Sequence, residues 1–139
     1  MPEILKLSNQ LCFPIYVLSK EIINRYRPFL DELDITYPQY LVLLVLWEKD
    51  NQTVSELGKK LFLDSGTLTP LLKRLEAKDM VIRTRQKNDE RIVQITLTSF
   101  GLSLKEKATC IPLQMMESMD LTKEELQQFK NIITKILSK

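Results

Sequence analysis

The strongest constraint on this chain is a change of hydrophobic period near its middle. Leu68, Leu71, Leu72 and Leu75 recur at helical spacing on one stripe. Beyond Asp79 the period falls to two: Val81 to Arg85 reads as one strand, and Val93, Ile95 and Leu97 alternate with Gln94 and Thr96 in another. Residues 87 to 91 form the connecting turn and are all polar or charged. A helix therefore leads directly into a short hairpin, while the segments on both sides read as helix. The expected class is mainly α with a small β-hairpin.

Upstream, Leu11, Ile15, Leu18, Ile22, Tyr26, Phe29 and Leu30 predict a first helix from about Ser8 to Leu33, bent at Pro14 and Pro28. Thr36 with Gln39 has capping-box spacing and opens a helix through Trp47, and Thr53 with Glu56 opens a short one ending near Leu61. Asp64 can cap the helix that carries the leucine stripe. After the hairpin, Thr98 starts a fifth helix and Thr122 with Glu125 opens the last. With glycine scarce and no repeat or linker, one domain over residues 1–139 is expected.

Composition narrows the chemistry. The 139 residues contain no histidine, which removes the commonest general base, and Cys12 and Cys110 lie far apart with no companion at metal-ligand spacing. Neither a metal nor another cofactor is expected. The longest uncharged apolar run, Tyr40 to Trp47, is too short to span a bilayer, and no leader pattern is visible, so the expected compartment is the cytoplasm. Net charge is only +2, yet residues 73 to 91 hold seven cations (Lys73, Arg74, Lys78, Arg83, Arg85, Lys87, Arg91) against four carboxylates.

A short helix, a tight turn, an amphipathic helix with a hydroxyl-rich start and a charged hairpin make the order of a winged helix-turn-helix. Ser65, Thr67 and Thr69 lie off the leucine stripe, as do Lys73 and Arg74, so this face suits a major groove and its flanking phosphates. In the hairpin, Asp89 stands behind Arg91 and can aim the guanidinium into a narrow minor groove. The expected partner is double-stranded operator DNA. Helices at about 8–33 and 98–138 flank a DNA-binding core at about 36–97, and their broad apolar stripes suit pairing in a homodimer. The bland alternative is that they pack on each other within one subunit.

Several stretches resemble the MarR family of bacterial regulators, in its organic hydroperoxide resistance (OhrR) branch. They are Leu11-Cys12-Phe13, Tyr26-Arg27-Pro28, Thr36-Tyr37-Pro38-Gln39-Tyr40, the run from Asp64 to Arg74, and Asp89-Glu90-Arg91. The likeness covers about residues 8 to 110. It implies a single MarR-type winged helix domain that binds a palindromic operator as a repressor. It also implies that Cys12 is a sensing thiol, oxidised by organic hydroperoxide, with Tyr26 and Tyr37 as hydrogen-bond partners and Tyr16 as a further contributor. Phenolic donors stabilise a thiolate, the form that attacks a peroxide oxygen. Cys110 is the candidate resolving thiol by similarity to two-cysteine members, although their distal cysteines lie further along the chain. On residue pattern alone, a lone cysteine on an apolar stripe is more often a core residue.

Besides a protein-protein adaptor that uses the winged domain without DNA, two further readings stay open. One is a MarR-type regulator controlled by a small aromatic ligand, with Cys12 structural. The other is a thiol peroxidase, which leaves the basic hairpin without a role.

Overall fold

The first helix of the computed structural model, α1, spans Cys12–Asp31 rather than starting near Ser8. Ahead of it, Glu3–Leu5 and Leu7–Asn9 form two 3-10 turns. Side chains hold them: Asn9 Nδ2 donates to the Glu3 carbonyl at 2.7 Å, and Gln10 Nε2 donates to the carbonyls of Ile4 at 2.7 Å and Lys6 at 2.9 Å. These bonds compete with helix formation, so α1 begins only after Leu11. Pro14 consequently falls in the first helical turn, where no intrahelical partner is needed by its missing amide. The expected bend at Pro14 is corrected on that ground, and Pro28 is the proline inside the helix.

The structure describes residues 2–138, which divide into two compact units, one ending at Ala108 and one beginning at Thr109. In the first unit α1 is followed by α2 (Tyr37–Glu48), β1 (Gln52–Thr53), α3 (Val54–Leu61), α4 (Ser65–Ala77), β2 (Val81–Arg85), β3 (Val93–Leu97) and α5 (Ser99–Ala108). The caps are set by side chains. Thr36 Oγ1 accepts from the Gln39 amide while Gln39 Oε1 accepts from the Thr36 amide, completing the reciprocal box at α2. Thr53 Oγ1 accepts from the Glu56 amide at α3, and Asp64 Oδ1 accepts from the Thr67 amide at 2.7 Å at α4.

The hairpin strands have the bounds that alternation predicts, paired antiparallel from Val81↔Leu97 to Arg85↔Val93. A third strand, β1, was not expected. It adds to the other edge of β3 through Gln52↔Ile95 and Thr53↔Gln94, giving the order β1-β3-β2. Two residues are too few to show a period.

Beneath the sheet lies one core. Val42, Leu43 and Leu46 from α2, Leu57 from α3, Leu68, Leu72 and Leu75 from α4, and Val81 and Ile95 from the sheet are all buried. Each such side chain contributes about 1.5–3 kcal/mol of apolar burial. Two glycines let the elements approach. A Cβ on Gly58 would lie 2.6 Å from the Leu63 carbonyl oxygen, so glycine sets the tight α3–α4 turn. A Cβ on Gly101 would lie 2.1 Å from the Met80 carbonyl oxygen, where α5 crosses the start of the hairpin.

The second unit contains α6 (Ile111–Ser118) and α7 (Lys123–Leu137). From sequence, one helix was expected to continue from Thr98 towards the last helix. It ends at Ala108 instead, and a new one starts after Cys110 with Pro112 in its first turn, because the ring removes an amide that a continuous helix would use. Thr122 and Glu125 form the expected capping box on α7.

Candidate DNA interface and thiol site

The leucine stripe of α4 faces the core, which turns its other side outward. Leu68, Leu71, Leu72 and Leu75 are buried, whereas Ser65, Thr67, Lys73 and Arg74 are exposed and Thr69 is half-buried. Thr69 Oγ1 donates to the Ser65 carbonyl at 2.8 Å, leaving its lone pairs available as acceptors. The hydroxyl and amide of Thr67 beside Asp64 hold that carboxyl below the usual carboxylate range. The cap thus remains ionised at neutral pH and fixes the first turn of α4.

At the hairpin tip, Arg91 donates from Nε to Asp89 Oδ1 at 3.1 Å and from Nη2 to Asp89 Oδ2 at 3.3 Å. The Arg91 amide donates to the same carboxylate at 3.1 Å. The Arg91 side chain and amide together hold the Asp89 carboxyl below its ordinary range. This two-point contact limits the guanidinium's rotation while the side chain stays 91% exposed. The turn itself is closed by the Gln86 amide on the Ile92 carbonyl and the Ile92 amide on the Asp89 carbonyl. The structure thus brings an oriented, outward-pointing cation to the end of β2 and β3.

The thiol residues are arranged differently. Cys12 is exposed at the first position of α1, and Cys110 is exposed at the cap of α6. Tyr26 lies on the same helix as Cys12 but 14 residues later. At 1.5 Å per residue that is about 21 Å along the axis, far beyond hydrogen-bond reach. Tyr26 instead meets Tyr37 at a ring-centroid distance of 4.7 Å. Within one chain, therefore, Cys12 and its expected tyrosine partners are not assembled. Tyr16 is exposed and carries Lys20 Nζ over its ring at 4.2 Å.

Sequence reasoning missed Tyr40, which is buried with its ring 5.7 Å from Tyr26 and 6.3 Å from Tyr37. Its one available signal was its place at the end of Thr36-Tyr37-Pro38-Gln39-Tyr40. Burial, together with the charge that neighbouring Tyr37 and Tyr40 would carry, pushes the Tyr26 phenol up to about 12. Burial also raises Tyr37, and burial followed by Tyr37 raises Tyr40. At neutral pH the cluster is thus a set of protonated phenols, able to donate hydrogen bonds to an anion.

Comparison with known proteins places the chain among transcriptional regulators. A family model described as transcriptional regulator SarA/Rot matches residues 24–108. The organic hydroperoxide resistance transcriptional regulator of Bacillus subtilis (strain 168) is 49% identical over 133 residues, covering 96% of this chain and 90% of that protein. Among solved structures, AbfR of Staphylococcus epidermidis in its reduced, DNA-bound form superposes with a TM-score of 0.81 at 40% identity, over 95% of this chain and 90% of that one. The disulfide form of AbfR superposes with a TM-score of 0.64 at 39% identity, over 95% of this chain and 88% of that one. The chain belongs to the MarR family of transcriptional regulators.

Proposed function

We propose that this protein is a redox-sensing repressor that binds a palindromic operator as a homodimer while Cys12 is reduced and leaves it when organic hydroperoxide oxidises Cys12. Two α4 helices held about 34 Å apart, one turn of DNA, would enter successive major grooves, with Arg91 of each wing in a flanking minor groove. The observation that carries the DNA-binding half is the pairing of an exposed hydroxyl-and-cation face on α4 with the clamped guanidinium of Arg91. Ser65, Thr67 and Thr69 read or position, Lys73 and Arg74 neutralise backbone charge, and Asp89 aims Arg91.

The redox half rests on the exposed Cys12 thiol and on the protonated phenols of Tyr26 and Tyr37. Because one chain holds these groups about 21 Å apart, the sensing site is composed of Cys12 from one copy and the tyrosines of a second. The exposed apolar side chains of Leu11, Ile15 and Leu18, at helical spacing, support the start of α1 as part of the surface between copies, as does the Phe129, Ile132, Ile133 and Ile136 stripe on α7. Cys12 thiolate attacks a peroxide oxygen, giving Cys12 sulfenic acid and the corresponding alcohol. The sulfenic acid then condenses with a thiol, releasing water, and Cys110 of the second copy is the candidate within the protein. The event is stoichiometric signalling rather than enzymatic turnover, and it takes place in the cytoplasm, where the operator is. Among the described residues no helix is long and apolar enough to cross a membrane.

Fluorescence anisotropy on a palindromic duplex selected by the reduced protein, before and after one equivalent of cumene hydroperoxide, tests this reading. High affinity before and loss of it afterwards, reversed by a thiol reductant, is expected; equal affinity in both states would remove the sensor. Non-reducing mass analysis of the same sample separates an interchain disulfide from a mixed disulfide with a small thiol.

A further inference from the structure

Between α3, α4 and the hairpin lies an open groove of about 770 Å³ that the sequence reading did not anticipate. Three cations line it, Lys59, Arg83 and Arg91, together with the hydroxyl residues Ser55, Ser65 and Thr69, and no carboxylate is among its lining residues. Arg83 is unusual within it. Its side chain is only 20% exposed, its guanidinium approaches Glu76 Oε1 at 3.7 Å through Nη1, and its buried Nε has no partner among the described residues. Glu76 also accepts from the Arg83 backbone amide at 3.0 Å, so the arginine is anchored from behind. A buried guanidinium N–H without an acceptor is costly, and the cost is offset where the cationic group at the groove wall gains an anionic neighbour.

On the reading that α4 enters a major groove and Arg91 the adjacent minor groove, one sugar-phosphate strand separates those two grooves and has to pass between the elements that fill them. The groove occupies that interval. We propose that it seats this phosphodiester strand, with Arg83 and Lys59 as sequence-independent phosphate contacts and Glu76 as the residue that positions Arg83. Ser55 adds a hydroxyl donor at the groove wall. These contacts set register and affinity, while α4 and Arg91 discriminate between sequences. Small polar anions other than phosphodiesters would meet the same cations, but only a continuous strand uses Lys59 on α3 and Arg83 on β2 together with the reading elements on either side.

The test is the salt dependence of DNA binding by the full-length protein. Wild type, Arg83→Gln and Lys59→Gln are titrated with the selected palindrome and with a scrambled duplex. Each substitution should lower the slope of log K against log salt by about 1.8 per dimer, from about 0.9 for each lost phosphate contact. It should weaken both duplexes by a similar factor, leaving their ratio unchanged. Wild-type binding with variants that keep the wild-type slope would overturn the phosphate seat while sparing the DNA-binding reading; wild type that binds neither duplex would overturn both. Because Arg83→Gln can disturb folding, neutral methylphosphonates are also placed one at a time along the palindrome against wild-type protein. Loss of affinity concentrated at the phosphates between the helix and wing contacts is expected, and no loss there would refute the proposal.

Discussion

The DNA-facing surface and the thiol site are built to different degrees in one chain. The proposed DNA-contacting residues come from one stretch of the first unit: the α4 face, the Arg91–Asp89 clamp and the groove between them rest on one buried core. The thiol site is split, with Cys12 at one end of α1 and the Tyr26–Tyr37–Tyr40 cluster at the other. On the proposed reading, the contrast teaches that each DNA-contacting surface is complete within one folded chain, while the sensing site needs two chains. A signal generated between two subunits is well placed to alter the spacing of two reading heads, which is the quantity a palindrome measures.

The largest effect expected is on the split site. Cys12→Ser should bind the palindrome like wild type yet remain bound when peroxide is added, abolishing release in an anisotropy assay; a serine variant that still dissociates would assign sensing elsewhere. Next come substitutions that separate core from interface. Leu68→Ala removes a fully buried side chain from beneath α4 and should cost about 2–5 kcal/mol in denaturant unfolding, independent of protein concentration. Ile132→Asp on the exposed α7 stripe should leave that core intact, but shift the protein towards monomer by sedimentation and make DNA binding concentration-dependent. Should Ile132→Asp stay dimeric, α7 is not part of the pairing surface.

Arg91→Ala should weaken operator binding by about 1–3 kcal/mol without changing thermal stability, because its side chain is 91% exposed. Smallest is a backbone effect. Of the five non-glycine residues with positive φ among the described residues, four are Asp or Asn, which tolerate that region; the fifth is Phe62, at φ 57° and 86% exposed, in the turn before α4. Phe62→Gly should raise stability by about 1 kcal/mol in thermal melts. No gain would mean that the exposed ring makes compensating contacts.

The pH dependence follows from Tyr26. Its phenol titrates near 10 when unfolded and at about 12 in the fold, so the folded state holds the proton more tightly. The corresponding stability is fully present below pH 10 and is lost as pH rises from about 10 to 12. Tyr26→Phe should lessen the fall of the melting temperature across that window, the raised Tyr37 and Tyr40 phenols supplying the remainder, a change visible in alkaline thermal scans.

The wing and reading helix were legible in the sequence because local chemistry sets them. Alternation gives β2 and β3 their bounds, and Thr36, Asp64 and Thr122 mark helix starts with side chains that bond to the next turn. Less visible were features that depend on competition or on length. Asn9 and Gln10 delay α1, Pro112 divides the expected fifth helix, and β1 is too short for a pattern. The thiol site was named residue by residue through resemblance, yet its separation was not seen, although spacing along one helix already places Cys12 and Tyr26 far apart. Tyr40 and Arg83 were missed because burial, not residue type, gives them their roles.

Mixed dimers test the shared thiol site most directly. One subunit carries Tyr26→Phe with Tyr37→Phe and keeps Cys12; the other carries Cys12→Ser and keeps both tyrosines. If the site is shared between copies, each homodimer responds poorly to hydroperoxide, whereas the mixture regains one complete site and oxidises its remaining Cys12 at the wild-type rate. Failure of the mixture to recover, or normal oxidation in the phenylalanine homodimer, would contradict a sensor assembled from two chains.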